Sequence, residues 1–189
     1  MGNKVQFGLK SVHVAFRDPD TGAWETPTPI PGAVNLSLTG EGDRSNFRAD
    51  DSSYWAWEAN NGYTGELEMA LLPDAILSRM LGWTIDSNGM LVEVADGTPE
   101  EFALLFEVAG NEADKRYIFY SCTAGRPGVT HQTTGETVEP QTQALPLVIE
   151  PVEYGDDRIV KGVLELSDTN ATVYNAFFTT VQEPDEASA

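Results

Sequence analysis

The sequence predicts a mainly β fold built as one domain, and three observations carry that prediction. Apolar and polar residues alternate with a period of two along several stretches, among them 33–38 and 63–70. Segments rich in Pro, Asp, Asn and Gly, the residues of tight turns, separate those stretches. Only two short segments, 73–82 and 168–181, switch to helical spacing. With 189 residues, 41% of them hydrophobic, the chain is long enough to bury a core of its own. Residues 1–181 therefore form the expected domain, and 182–189 a short, acidic, flexible tail.

In chain order, Val5, Phe7 and Leu9 point one way and Gln6, Gly8 and Lys10 the other, which predicts a half-buried first strand. His13 and Ala15 break its far end. The run DPDTG at 18–22 carries tight-turn chemistry, so 3–16 is expected to pair with 24–28 as a hairpin. Val34, Leu36 and Leu38 alternate with Asn35, Ser37 and Thr39 in a further strand. Residues 40–62 mix charge, aromatic rings and asparagine-glycine turn chemistry, and predict a long projecting hairpin or loop. Then YTGELEMA resumes the alternation, with Leu67 and Met69 on one face and Glu66 and Glu68 on the other.

The period changes next. Pro73 at a first helical position, Asp74 beside it, the stripe Ile76, Leu77, Met80 and Leu81, and Gly82 as terminator predict a short flanking helix. Strands are expected near 90–94, 102–109 and 116–123, the last two joined by a polar turn at 110–115, and again at 145–149 and 163–166. Val173, Tyr174, Phe177, Phe178 and Val181 behind Asp168 and Thr169 describe a C-terminal helix.

Eleven Lys plus Arg against thirty Asp plus Glu give a net charge of -19, which excludes a surface built to hold nucleic acid by neutralising phosphates. The single cysteine, Cys122, has no partner for an internal disulfide, and Met1 is followed by polar GNK where a leader would be basic and apolar, so folding in a reducing cytosol is expected. No window approaches the roughly 20 apolar residues of a membrane-spanning helix. Catalytic motifs are missing: there is no phosphate-cradling loop, paired-cysteine cluster, two-histidine helix motif or nucleophile elbow. His13 on a strand and His131 in a Gly- and Thr-rich stretch read as structural, and nothing places a base beside Cys122. Asp18, Asp20 and Gly22 echo a calcium loop but lack its bidentate glutamate, so a plain turn is expected. The expectation is a protein that is not an enzyme and holds no cofactor or metal.

Four separated segments, NKVQFGLKSVHVAF at 3–16, PIPGAVNLSL at 29–38, NNGYTGELEMALLPD at 60–74 and EPQTQALPLVIEP at 139–151, resemble one family. With FALLFE at 102–107 and YSCTAGRPG at 120–128, they resemble in order the major tail tube protein of long, non-contractile tailed phages, from near residue 3 to near residue 181.

The resemblance implies a β-sandwich or barrel-like fold of two packed sheets with a flanking helix. It implies rings of six subunits stacked into a virion tail tube made in the host bacterial cytoplasm, with strands joining between subunits into an inner barrel. The implied partners are further copies of the chain, a tape-measure protein, and the tail terminator and tail-tip initiator proteins; genomic DNA passes through the lumen without specific binding. Phe47, Tyr54, Trp55, Trp57 and Tyr63 are then candidate ring-stacking or subunit contacts, and Glu66 and Glu68 candidate lumen-facing acids. Taken alone, the cluster Tyr54, Trp55, Trp57 and Tyr63 fits a sugar-stacking platform equally well, so a β-sandwich carbohydrate-binding module is the alternative. A carboxylate-dependent hydrolase is a weaker rival, with abundant acids and no constellation.

Overall fold

A computed structural model describes residues 6–49, 52–110, 114–131, 133 and 141–184; of 6–7, 44–49, 52–58 and 110 only the backbone is described. The expected tail beyond Pro184, the start of the first strand at Val5 and the middle of the turn at 110–115 lie outside these residues. Six strands come first: β1 (Gln6–Phe16), β2 (Thr28–Pro29), β3 (Ala33–Glu41), β4 (Arg44–Ala49), β5 (Ser52–Glu58) and β6 (Gly62–Met69). Helix α1 (Asp74–Leu81) follows, then β7 (Thr84–Ile85), β8 (Leu91–Val92), β9 (Phe102–Gly110) and β10 (Lys115–Ala124). The chain continues through β11 (Gln143–Ile149), β12 (Val152–Tyr154), β13 (Asp157–Ile159) and β14 (Lys161–Glu165) to a second helix, α2 (Ala171–Ala176).

The fold is mainly β with two short helices, as the alternation predicts. Its body is an antiparallel sheet in the order β2-β1-β9-β10-β11-β6-β3. β10 is long enough to take two partners on one edge, β14 along its first half and β11 along its last residues. The sheet curls until β3 runs alongside β1 without pairing to it. Strand β9 explains why the curled sheet needs cover on both faces. Its run Phe102–Phe106 is buried throughout: Phe102, Leu104 and Phe106 point into the main core with Leu67, Met69, Leu145 and Leu147, while Ala103 and Leu105 point outward. A continuous apolar run is what a strand buried on both faces requires.

Helix α1 supplies one cover. Leu77, Met80 and Leu81 join the main core beside Phe16, and Ile76 packs at its margin. Pro73 stands one position earlier than expected, as the cap, and Gly82 ends the helix with φ 67°, the left-handed conformation that glycine adopts freely. The C-terminal segment supplies the other cover, laying Phe177 and Val181 against Ala15, Leu105, Ile118 and Tyr120. Polar bonds hold it there. Tyr120 Oη donates to the Gln182 carbonyl at 2.9 Å, and Trp24 Nε1 donates to Glu183 Oε1 at 3.2 Å. The Arg116 guanidinium lies over the Tyr174 and Phe178 rings at 3.8 and 4.8 Å, and donates to the Tyr174 carbonyl.

Three expectations need correction. Residues 24–28 do not form a full hairpin partner for β1: Arg17 and Trp24 form an isolated bridge, only Thr28 and Pro29 pair with it as strand, and its long partner is β9. Prolines 27, 29 and 31 lack the N–H a ladder needs. The phase of β1 slips at bulges between Phe7 and Leu9 and between Lys10 and His13, which brings Val12, Val14 and Phe16 into the main core. The C-terminal helix starts after Asn170, not behind Asp168 or Thr169, and ends at Ala176; the Asn170 amide is engaged by Ser167 and Glu165. The hairpin β12–β13 has no counterpart in the predicted elements. No helix among the described residues is long and apolar enough to cross a membrane.

Candidate subunit interface

Strands β3, β6 and β11 present one face to the core and the other outward. The alternation places Leu67 and Met69 inside, fully buried, and Glu66 outside and exposed, with Glu68 half-buried on the same outer side. The register builds rows across this outer face: Ser37, Glu66 and Pro146 in one, Asn35, Glu68 and Ala144 in the next, Thr39, Thr64 and Val148 in a third. Thr64 Oγ1 donates to Glu41 Oε1 at 2.7 Å, and Thr142 Oγ1 donates to Glu68. None of the three strands contains a lysine or arginine. The face is therefore acidic and hydroxyl-lined, and the outer edge of β3 pairs with no strand among the described residues. A free edge nine residues long is a template for another strand.

The loop expected at 40–62 is a two-stranded hairpin. β4 and β5 pair with each other and, among the described residues, with no other strand, with Phe47 opposite Trp55 and Ser45 opposite Trp57. The side chains of Phe47, Tyr54, Trp55 and Trp57 lie outside the described residues. Tyr63 is engaged within its own chain: it packs edge-to-face on Phe119 at 5.5 Å, and the Lys161 ammonium lies 5.1 Å from its ring centre.

Beside Lys161 an open groove of about 610 Å³ separates β1 from β3, floored by Phe106 and Tyr117 and walled by Leu9, Leu36 and Leu38. Sequence periodicity gave no signal for this groove, because it depends on two strands remote in the chain failing to pair. Val34, expected to face inward with Leu36, is 53% exposed at its rim, since a bulge between Ala33 and Asn35 shifts its phase.

Asp18, His13 and Cys122 each have a local setting in the fold. Asp18 Oδ1 accepts the N–H groups of Asp20 and Thr21 at 2.8 and 3.0 Å, which holds its carboxyl below the usual range and makes 18–22 the plain turn. His13 stacks on Phe178 at 4.6 Å, and burial pushes the Cys122 thiol up, away from thiolate chemistry. Among the described residues no three His, Cys, Asp or Glu side chains are grouped to hold a metal ion. Compared with known proteins, the chain matches no family model and no curated protein.

Proposed function

We propose that this chain is the building subunit of a phage tail tube, whose copies join into rings of six that stack into a hollow tube with an acidic lumen for passage of the genome. The observation that carries this reading is the outer face of β3, β6 and β11, acidic, free of cations and bordered by an unpaired strand edge. Joining such edges from copy to copy would close a barrel and remove the exposed template. The face would then line the lumen, with Glu41, Glu66 and Glu68 turned to the passing DNA.

Repulsion suits that role. Duplex DNA carries about one negative charge per 1.7 Å of axis, so a basic wall would hold it by counterion release while an acidic wall leaves it free to slide. The hairpin β4–β5 supplies contact between copies through Phe47, Tyr54, Trp55 and Trp57. The order and coverage of the resembling segments support the same reading, and with it the tape-measure, terminator and initiator proteins as partners in a virion tail. Negative-stain electron microscopy of the purified protein concentrated in moderate salt, with its mass by light scattering, tests the proposal. Hollow tubes or six-fold rings are the expected result; a stable monomer that binds a sugar array would replace the reading with a carbohydrate-binding module.

A further inference from the structure

Two covers close the curled sheet, and we propose that the turn at 17–25 ties them together, so that they open as one unit. The covers pack into separate clusters. Helix α1 brings Leu77, Met80 and Leu81 to the main core, and the C-terminal segment brings Phe177 and Val181 to the second cluster. Elements packed in this way ordinarily open one at a time, each with its own local free energy. Here two pairs of neighbouring residues reach toward both.

Trp24 and Glu25 are the first pair. The Trp24 ring packs against the cluster beneath the C-terminal segment, and its Nε1 donates to Glu183 Oε1 at 3.2 Å. Glu25 turns the other way: its carboxylate accepts from Arg79 Nη1 at 2.8 Å and Nη2 at 2.7 Å, and its N–H donates to the Phe16 carbonyl at 2.9 Å. Glu100 and Glu101 are the second pair. Glu100 Oε2 accepts from Arg79 Nε at 2.9 Å and Nη2 at 2.7 Å, and the Glu100 N–H donates to the Arg79 carbonyl at 3.0 Å. Glu101 faces Arg17, whose guanidinium lies 5.4 Å from the Trp24 ring centre. Arg79 stands in the last turn of α1 and lies over the Phe16 ring at 3.9 Å. Contacts therefore run without a break from Glu183 through Trp24 and Glu25 to α1.

This tie fixes position more than it adds stability. The side chains of Arg79, Glu25 and Glu100 are between 35% and 46% exposed, so water screens their attraction. The paired bonds of the guanidinium to Glu25 nevertheless set one geometry, and Trp24 cannot move far without pulling Glu25 from α1. The Arg17 side is slacker. Its Nη1 stands 3.8 Å from Glu101 Oε1, too far for a hydrogen bond, and that buried oxygen has no hydrogen-bond partner among the described residues. A cleft of about 510 Å³ opens there between the turn and residues 98–101. A joint with one firm side and one slack side yields at the slack one. Release therefore begins at the C-terminal segment and passes through Trp24 and Glu25 to α1.

Hydrogen exchange of the full chain, read by mass spectrometry, tests the coupling with two variants. Trp24→Ala removes a half-buried ring and its bond to Glu183. Arg79→Lys keeps the charge but loses the planar fork that holds two carboxylates. Trp24→Ala should speed exchange of the α1 amides at 77–81, and Arg79→Lys that of the amides at 174–181, each about fivefold or more. The β9 amides at 102–106 should keep their rates. Acceleration only in the cover that touches the substituted residue, or in neither, would overturn the proposal. Equal acceleration in β9 would do the same, because it reports a loss of global stability and no specific link. The readout is taken on single chains, so it stands apart from whether copies form tubes.

Discussion

Glu107→Gln should destabilise the fold by about 2–4 kcal/mol, because it unpairs charges held at the seam between the sheet and its C-terminal cover. Glu107 is 6% exposed, on β9, with Lys10 Nζ at 3.0 Å from one oxygen and Arg116 Nε at 2.7 Å from the other. The Arg116 side chain is itself only 16% exposed, and it carries the stacking and the carbonyl bond that hold α2. Breaking a fully buried pair from one side costs about 3–5 kcal/mol. The lower range applies here because the Lys10 side chain is 45% exposed and water screens its share. The assay is urea unfolding followed by far-UV circular dichroism on the wild type, Glu107→Gln, Arg116→Met and the double variant. A coupling energy above about 1 kcal/mol between the two positions is expected. A loss below about 0.5 kcal/mol for Glu107→Gln, within the range of ordinary surface changes, would refute the claim that this pair holds the cover in place.

Three more expectations follow from separate parts of the molecule. Gly82→Ala puts a side chain at φ 67° with its Cβ 2.6 Å from the Thr98 backbone, so a loss of roughly 2 kcal/mol and a Tm fall of about 4–8 °C by calorimetry are expected; an unchanged Tm would contradict the left-handed cap. Burial pushes the Tyr120 phenol up to about 12, above its ordinary value of 10.0, so its contribution is intact below pH 10 and is lost as pH rises toward 12. Urea midpoints at pH 9 and pH 11 should therefore fall less in Tyr120→Phe than in the wild type, and parallel falls would count against the assignment. In the proposed ring of six, 6 × 19, or 114, negative charges would come together, so assembly should weaken at low salt; equal assembly by sedimentation at low and high ionic strength would sink the electrostatic reading.

Local chemistry made much of this fold legible. The period-two alternation located β3, β6 and β11 and assigned Leu67 and Glu66 to opposite faces, since a pleated strand leaves adjacent side chains no other choice. The strand expected at 102–109 is β9, and Pro73, the apolar stripe and Gly82 bounded α1 to within a residue. The candidate site was legible to the extent that it depends on one strand at a time: the acids of the outer face and the hairpin within 40–62 follow from their own segments.

Tertiary packing decided whatever depends on residues distant in the chain. β1 chose β9 over the nearby 24–28 because β9 offers a full ladder and two apolar faces, while prolines 27, 29 and 31 withhold N–H groups. Tyr63 looked like a free contact, yet Phe119 and Lys161 engage it from β10 and β14. The groove lies where β3 runs beside β1 without pairing to it, and its lining comes from β1, β3, β9, β10 and β14, strands scattered along the chain. Sequence periodicity reports which way a side chain points from its own strand; which strand lies opposite is settled by the packing of the whole core, where closing a longer loop adds little entropy cost and burying both faces of β9 gains much.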